Sequence, residues 1–555
     1  MPMPTLSLCM IVRDEEVMLP ACLASVAGAV DEIVVVDTGS RDRTVAIARA
    51  AGAVVVEQPW ADDFSAPRNR AIEESRCDWV LILDADERLT SGARETLRRA
   101  LEAAEFDCGM LPLHNAARLD ADIERVARGE DRIGERAFLP RLMRRTVDLR
   151  FSGIVHENVG SWLFSNDRKA KFLEGVDIVH LGGVPTLREQ RDKSQRNIRL
   201  LERSCAEHPG DVNSYGYLAH EYLELGDVAR ARDVAERGWA VFAQGATTLD
   251  LPLLRLTTAR AWLQVQSSET LAAHETLSVA SRVLAKHPDV FFIRGCAFEM
   301  EALRTSSADV RRESLTRALA EYQSALGCAE GVYLQKFVEG GSSWAAEVRC
   351  GTVSLLLGRT AEARGAFERA IAEKPTSHEA QWGRLECLLV AGENLAVIRE
   401  LQPFLDERPD GWTLAALAAE AAGSFDAMGQ WLGKAQSFLG RGFVAPHRRE
   451  RYYDALIALG ARLGHVVEAP GPLGQLVRLA NGAPCSIEQL GARSIEEPLA
   501  RAMARRLVMQ WLRTGHAEKV ERLVVGAADA WLPGILELTS RVVDELTAGQ
   551  AGAFS

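Results

Sequence analysis

The sequence predicts an α/β domain on a mainly parallel sheet, followed by an all-α solenoid. Three observations carry this. Short apolar strands alternate with helical spacing over residues 5–90. Acidic side chains recur just past the strand ends. From about Asn197 strand signals vanish, and Ala, Leu, Arg and Glu dominate at helical spacing.

The elements follow in order. Thr5 to Val12 is apolar-rich and reads as the first strand. Val17, Leu19, Cys22, Leu23 and Val26 follow helical spacing. Glu32 to Val36 is a second strand ending in Asp37. Val45, Ile47, Ala48 and Ala51 form a second helix, with Asp42 as its N-cap and Gly52 as its terminator. Ala53 to Val56 is short and β-branched. Val80-Leu81-Ile82-Leu83 then runs straight into Asp84-Ala85-Asp86. Short loops between alternating strands and helices imply a mainly parallel, Rossmann-like sheet with helices on both faces. In such sheets the ligand crevice lies beyond the carboxyl ends of the strands. Arg13-Asp14-Glu15, Asp37-Thr38-Gly39-Ser40 and Asp84-Ala85-Asp86 all fall there.

Two carboxylates on a stiff strand end suit a divalent cation that holds a diphosphate. An Asp-X-Asp by itself fits a surface turn equally well, and it is the recurrence at three strand ends that favours a site. The G-x-G-x-x-G turn and the Walker-type loop are both absent. Phosphate must then be held by a metal and by basic side chains. Arg68 is a candidate, because guanidinium grips phosphate in a fork.

Four ordered blocks carry a resemblance. They are Leu6 to Glu16, Asp31 to Thr44, Asp62 to Asn69, and Trp79 to Glu87. Together they resemble family 2 glycosyltransferases of the A-type nucleotide-diphospho-sugar transferase fold. More narrowly, they resemble the bacterial branch that carries tetratricopeptide-like helices behind the catalytic domain, to which the sublancin-type peptide S-glycosyltransferases belong. The resemblance covers residues 5 to about 185. Asp14 stands where the family commonly has Asn.

The resemblance implies site roles. Asp37 is expected to accept from the uracil or ribose of the donor; the plainer reading is a turn-forming Asp. Arg13 and Glu15 are expected in the donor pocket. Asp84 and Asp86 are expected at the ribose and the metal, with Asp86 the direct ligand of Mg²⁺ or Mn²⁺. Arg68 and Asn69 are expected to open a helix near base and diphosphate, with a surface salt bridge as the plainer role for Arg68. Glu87 reads as a solvated first-turn residue.

Leu139 to Arg145 reads as a basic strand, followed by Phe151 to Glu157. A comparable His-Glu lies on the acceptor side of the resembling family. A transfer that inverts the anomeric carbon needs a general base there; a carboxylate suits that task if partial burial raises its pKa, and Glu157 is the candidate. Pairing with an arginine such as Arg141 is its plainer role. His180 and His156 are candidates for an imidazole on the metal or diphosphate, which favours Mn²⁺; a hydrogen-bonded core histidine is the alternative. Trp60 and Trp162 are either an apolar wall for a sugar or core residues.

In the helical part, Tyr215, Leu218, Ala219, Tyr222, Gly226 and Ala231 fit a tetratricopeptide-like helix–turn–helix. Gly358, Ala363, Phe367, Ala370 and Pro375 fit it again, and Gly392 and Pro409 recur 34 residues on. Insertions such as Gly245 to Asp250 break the register. Irregular pairs are expected over 250–340 and 440–550. The expected domains are therefore 1–195 catalytic, 196–440 repeats and 441–555 a C-terminal helical region. Stacked repeats offer concave surfaces for a protein or peptide, or hold two protomers in a homo-oligomer; a plain structural extension is the alternative.

Composition sets the outer bounds. The chain has 555 residues, 47% of them apolar, with formal net charge −12. It is long enough for two or more domains, and its charge disfavours nonspecific nucleic-acid binding. Ten cysteines without a CxxC pair read as reduced thiols of a cytoplasmic protein. No stretch suits a signal peptide or a bilayer span. The expected function is inverting transfer of a sugar from a nucleotide-diphosphate donor, UDP-linked, to a protein or peptide acceptor. The alternatives are an interaction scaffold with a degenerate transferase domain, and a transferase acting on a glycan or lipid-linked acceptor.

Overall fold

The computed structural model describes residues 3–164, 168–184, 193–245, 250–282, 284, 286–305, 307–328, 336–401, 411–435, 511 and 515–526. Most of the expected C-terminal helical region, Pro409, and residues 246–249 of the insertion from Gly245 to Asp250 lie outside the described residues. Within 441–555 only residue 511 and residues 515–526 are described, the latter with a helix over Ala517–Gly526.

The chain forms two compact units: residues 1–293 with 327–342, and residues 294–326 with 343–555. The first opens with β1 (Leu6–Val12), α1 (Leu19–Ser25), β2 (Glu32–Asp37), α2 (Thr44–Ala50), β3 (Val54–Glu57), α3 (Ser65–Glu74) and β4 (Trp79–Ile82). It continues with β5 (Glu87–Leu89), α4 (Ala93–Glu102), β6 (Cys108–Ala116), α5 (Ile123–Ala127), β7 (Arg132–Arg144), α6 (Gly160–Phe164), β8 (Ala170–Phe172) and β9 (Ile178–His180).

The apolar strands are continuous because both their faces are covered. Leu6, Leu8, Met10 and Val12 of β1 face one core with Val35, Trp79 and Leu81. Cys9 faces the other, with Val34, Val36, Val80 and Ile82. Helices α1 and α4 close the first core through Leu19, Leu23, Leu97 and Leu101. Helix α3 closes the second through Ala71 and Ile72. Burying each such aliphatic side chain contributes about 1.5–3 kcal/mol. Asp42 is not the N-cap of α2, which falls at Arg43; it lies one residue earlier, its carboxylate accepting from Thr44 N at 2.9 Å. Gly52 sits at φ +80° behind the helix.

The sheet has nine strands, with the order β3-β2-β1-β4-β7-β6-β9-β5 and β8 beside β6. The β3-β2-β1-β4 half is parallel throughout. The rest is mixed: β7 runs antiparallel to both β4 and β6, and β5 antiparallel to β9. The mainly parallel expectation therefore describes the first half. Beyond Asp86, no crossover helix separates the long strands β6 and β7, and only the five-residue α5 lies between them.

Helices of the same unit follow: α7 (Lys193–Glu207), α8 (Val212–Glu224), α9 (Val228–Ala243), α10 (Asp250–Gln266) and α11 (Thr270–Ser281). They are not a detached arm. Ile198, Leu201, Tyr215, Leu218, Tyr222 and Leu256 share one core with Val155, and Trp60 and Phe64 pack against it. Asp211 and Asp227 cap α8 and α9, accepting from Asn213 N and Arg230 N.

A column of flat groups joins the sheet domain to these helices. The His156 ring stacks on Tyr217 at 3.8 Å and 7°. The Arg255 guanidinium lies 3.8 Å from the Tyr217 ring centre and 4.4 Å from that of Phe337. His220 stacks on Phe337 at 4.4 Å. Burial, and then the Arg255 charge, pushes the His220 imidazole down to about 3. The unfolded chain therefore takes up a proton below about pH 6.5 that the folded chain refuses, and this part of the stability is lost as pH falls through that window. We expect His220→Gln to flatten the pH dependence of unfolding by up to about 1.4 kcal/mol per pH unit between pH 6.5 and 4. Urea titrations of both proteins at several pH values measure the difference in slope.

The second unit holds the repeats. Its helices, taken with the one that crosses the division, are α12 (Pro288–Arg304), α13 (Ala308–Leu326), α14 (Trp344–Leu356), α15 (Thr360–Glu373), α16 (His378–Val390), α17 (Asn394–Leu401), α18 (Gly411–Ala421) and α19 (Phe425–Ala435). Gly358 and Gly392 end α14 and α16 at φ +76° and +79°. Between them the Phe367 ring, 1% exposed, packs where side chains are missing. A Cβ on Gly351 would fall 2.7 Å from that ring, and one on Gly383 would fall 2.1 Å from it. Gly383→Ala is therefore expected to cost about 3 kcal/mol by overpacking. Faster hydrogen exchange across α15 and α16, with the sheet domain unchanged, is the readout.

Candidate active site

The C-terminal ends of β2, β1 and β4 lie side by side, because these strands are neighbours in parallel register. The loops after them are stitched together. Asp14, at φ +54°, donates its N–H to Ser40 Oγ at 2.9 Å and accepts from Arg41 N at 2.7 Å. Glu15 N donates to Thr44 Oγ1, and Glu16 N to Asp42. Glu15 is half-buried here, and the Arg13 side chain is about half exposed, its nearest acid being the adjacent Asp14 at 3.9 Å.

Asp37 closes β2 with 4% of its surface exposed. Its Oδ2 accepts from Gly39 N and Ser40 N, both at 3.0 Å. Its Oδ1 is buried without a hydrogen bond. Such an orphaned acceptor at a strand end fits an imide N–H or a ribose hydroxyl.

Asp84 follows β4 in a turn that Glu87 fastens, with Asp84 N donating to Glu87 Oε2 at 3.0 Å. Arg68 Nη2 donates to Asp84 Oδ1 at 2.9 Å, and Arg141 Nη2 lies 3.6 Å from Oδ2. Burial opposes ionisation of Asp84, but the Arg68 and Arg141 charges hold it well below the usual carboxylate range. Glu87 is 1% exposed and pairs with Arg141. It is not the solvated residue expected from the sequence. Its place in β5 turns it inward, and burial pushes its carboxyl up to about 7.

Arg68 is in the first turn of α3, as expected, but it is no surface salt-bridge residue. It is buried, and its Nε donates to Glu157. Its Nη1 is buried without a partner. The whole N-terminal end of α3 grips the 151–157 segment. Phe64 N donates to Ile154 O, Ser65 to Gly153 O, and Asn69 both donates to and accepts from the Phe151 backbone. Glu157 therefore joins the Asp84 cluster through Arg68, not Arg141. Its carboxylate is committed to a buried ion pair, and an acceptor proton must compete with that guanidinium.

Asp86 is 6% exposed. His180 Nε2 lies 3.7 Å from its Oδ1, and Lys193 Nζ 3.8 Å from its Oδ2. The register of β5 against β9 sets Glu87 opposite His180, and β6 sets Asn115 opposite it on the other side. Asn115 Oδ1 accepts from His180 Nδ1 at 2.8 Å, which leaves Nε2 as the nitrogen facing the carboxylate. At 3.7 Å the pair leaves room for a proton or a cation. Burial pushes the His180 imidazole down, but the neighbouring Asp86 carboxylate more than offsets this and raises it. Gly182 is the open side of this cradle, since a Cβ there would fall 1.9 Å from Asp86 Oδ2. One carboxylate and one imidazole fit a metal whose remaining ligands come from diphosphate and water. No group of three or more protein ligands occurs among the described residues.

Three other candidates fall elsewhere. His156 stacks on Tyr217 rather than joining Asp86. Trp162 is a core residue whose Nε1 donates to Thr146. Trp60 packs edge-on against Phe64 and donates to Asp62. Sequence reasoning missed Asn115 and Lys193 and misplaced Arg141. A lone Arg inside Leu139-Pro140-Arg141-Leu142-Met143, and His114-Asn115 at the end of an apolar run, were the available signals. Lys193 lies at a helix start with no local cue.

Comparison with known proteins is consistent with this geometry. The family model for glycosyl transferase family 2 matches residues 7–144. A TPR repeat-containing protein of Synechococcus elongatus is 39% identical over 244 residues, 42% of this chain and 57% of that protein. The SPbeta prophage-derived glycosyltransferase SunS of Bacillus subtilis is 27% identical over 213 residues, 37% of this chain and 46% of SunS. An uncharacterized glycosyltransferase of Rickettsia felis is 36% identical over 97 residues, 17% of this chain and 33% of that protein. The chain thus spans about half the length of the first two relatives. No helix among the described residues is long and apolar enough to cross a membrane.

Proposed function

We propose that this chain, whose residues 7–144 match the glycosyl transferase family 2 model and precede tetratricopeptide-like helices, is an inverting glycosyltransferase using a UDP-linked sugar and a protein or peptide acceptor. The observation that carries the proposal is the facing pair Asp86 and His180 Nε2 beside the bare Gly182, at the rim that also holds Asp37 and Asp84.

In this reading the orphaned Asp37 Oδ1 takes the base or ribose. Asp84, oriented by Arg68 and Arg141, accepts a ribose hydroxyl with its solvent-facing lone pairs. The partnerless Arg68 Nη1 meets the diphosphate. Asp86 and His180 would hold Mg²⁺ or Mn²⁺, which would supply positive charge against the departing nucleoside diphosphate, the imidazole favouring Mn²⁺. Glu157 accepts the acceptor's proton once the diphosphate draws the Arg68 guanidinium away. The acceptor oxygen or sulfur then bonds to the anomeric carbon as the glycosidic bond to phosphate breaks. The helices behind the domain present the acceptor.

Donor hydrolysis tests this without a known acceptor, because water replaces it. Incubation with UDP-glucose, UDP-galactose, UDP-N-acetylglucosamine and GDP-mannose, with Mn²⁺ or with chelator, is expected to release UDP from one UDP-sugar only when the metal is present. No release from any donor, together with no calorimetric binding of UDP and Mn²⁺, would falsify the proposal in favour of a scaffold.

A further inference from the structure

We infer that Tyr217, carried by the helical region, is a positioning residue of the transfer site: its ring holds His156 in the backbone turn that directs Glu157 at Arg68. The inference rests on the transfer reading above.

His156 has φ +52°, a left-handed conformation that costs a non-glycine residue about 1 kcal/mol or more. It lies in a small closed loop, because Ser152 and Asn158 exchange backbone hydrogen bonds across it. Within that loop Gly153 is also left-handed, at φ +98°. The direction of the next side chain, Glu157, therefore depends on how the His156 peptide is held. What holds it is the Tyr217 ring, near-parallel at 3.8 Å.

The ring is itself fixed. Arg255 lies 3.8 Å from the Tyr217 centre, and two flat groups that close must occupy opposite faces. Phe337 closes the far side of Arg255 at 4.4 Å. The Phe337 segment is tied down at both ends. Phe337 N and Val338 N donate to Asp289, while Lys336 Nζ and Gly340 N donate to Glu135 of β7. All these residues belong to one compact unit. Burial, with the Arg255 and Arg196 charges, pushes His156 down to about 3, so at neutral pH the stack sets no imidazolium against the guanidinium. The path from Asp84 through Arg68, Glu157 and His156 to Tyr217 is continuous.

The test compares Tyr217→Ala and Tyr217→Phe in the full chain, by kcat for hydrolysis of the best UDP-sugar and by calorimetric affinity for UDP with Mn²⁺. Misplacing a reacting group by about 1 Å costs up to about a hundredfold in rate. We expect Tyr217→Ala to lower kcat at least tenfold with UDP affinity within about twofold, and Tyr217→Phe, which keeps the stacking ring and loses only the hydroxyl's hydrogen bond with Arg255, to stay within about threefold of the parent. His156→Gly, which tolerates the left-handed backbone but lacks the ring, should repeat the kcat loss and stands in if Tyr217→Ala does not fold. Parent-like kcat in Tyr217→Ala or His156→Gly overturns the inference. So does a joint fall of kcat and UDP affinity, which marks general loosening, or a Phe variant as poor as Ala. If the parent itself neither hydrolyses a donor nor binds UDP, the transfer reading fails first.

Discussion

Asp86→Ala should abolish metal-dependent transfer and donor hydrolysis, by about a thousandfold or more, while the fold survives. A direct ligand of the charge-neutralising cation is worth several kcal/mol in the transition state, and about 4 kcal/mol is a thousandfold in rate. The fold should tolerate the change because the Asp86 side chain faces His180 and Lys193 rather than the apolar core, with its nearest cations 3.7 and 3.8 Å away. Its backbone contact, Leu181 N to Asp86 O at 2.9 Å, is kept in the alanine variant. Gly182→Ala provides an independent arm, since its Cβ would enter the same space 1.9 Å from Oδ2 without removing a ligand. Titration of Mn²⁺ into protein and UDP, followed by calorimetry, should show weakened metal binding in both variants and unchanged UDP binding without metal. Full activity of Asp86→Ala in chelator would remove the metal from the reading altogether.

Much of that cradle was legible in the sequence, for a definite reason. Strand-end positions are fixed by the strand itself, so Asp37, Asp84 and Asp86 could be placed as soon as the apolar runs before them were seen. Both cores that flank the sheet were implied by the same runs: residues alternating along β1 go to opposite faces, so an unbroken apolar strand must be covered twice. The repeats were legible through glycines, because Gly358 and Gly392 end helices at positive φ.

What stayed hidden depends on register between distant strands. Nothing local to Asn115 or His180 says that β6 and β9 bring them together. Glu87 looked like a turn residue because its burial comes from β9 and from Arg141, whose strand lies about fifty residues on. The partner of Glu157 was likewise misread. The sequence offers Arg141 as its partner, whereas the N-terminal end of α3 holds the whole 151–157 segment and brings Arg68 to it instead. The sequence places a domain boundary at residue 195, yet Val155 shares a core with the first helices beyond it, and Trp60 and Phe64 pack against that core. Tertiary packing of this kind leaves no periodic trace in either partner.

The second large effect is expected at the Arg68–Glu157 pair, where two substitutions should fail in different ways. Glu157→Gln keeps an amide oxygen that still accepts from Arg68 Nε, so the buried guanidinium retains both neighbours and stability should change little. It can no longer take up a proton, so transfer to a hydroxyl or thiol, and hydrolysis by water, should fall by about a hundredfold to ten-thousandfold, the usual worth of a general base. Azide tests the cause directly, because it attacks as an anion with no proton to lose. Adding azide to Glu157→Gln should restore donor consumption and yield a glycosyl azide of inverted configuration. Arg68→Met should behave otherwise. It strands the Glu157 and Asp84 carboxylates, of which Glu157 is 10% exposed at its side chain, and breaking a buried pair from one side costs about 3–5 kcal/mol. That variant should unfold earlier in urea and bind UDP more weakly, and azide should not rescue it. If Glu157→Gln instead keeps its rate within a fewfold of the parent, Glu157 serves only to anchor Arg68, and the proton must leave to another group.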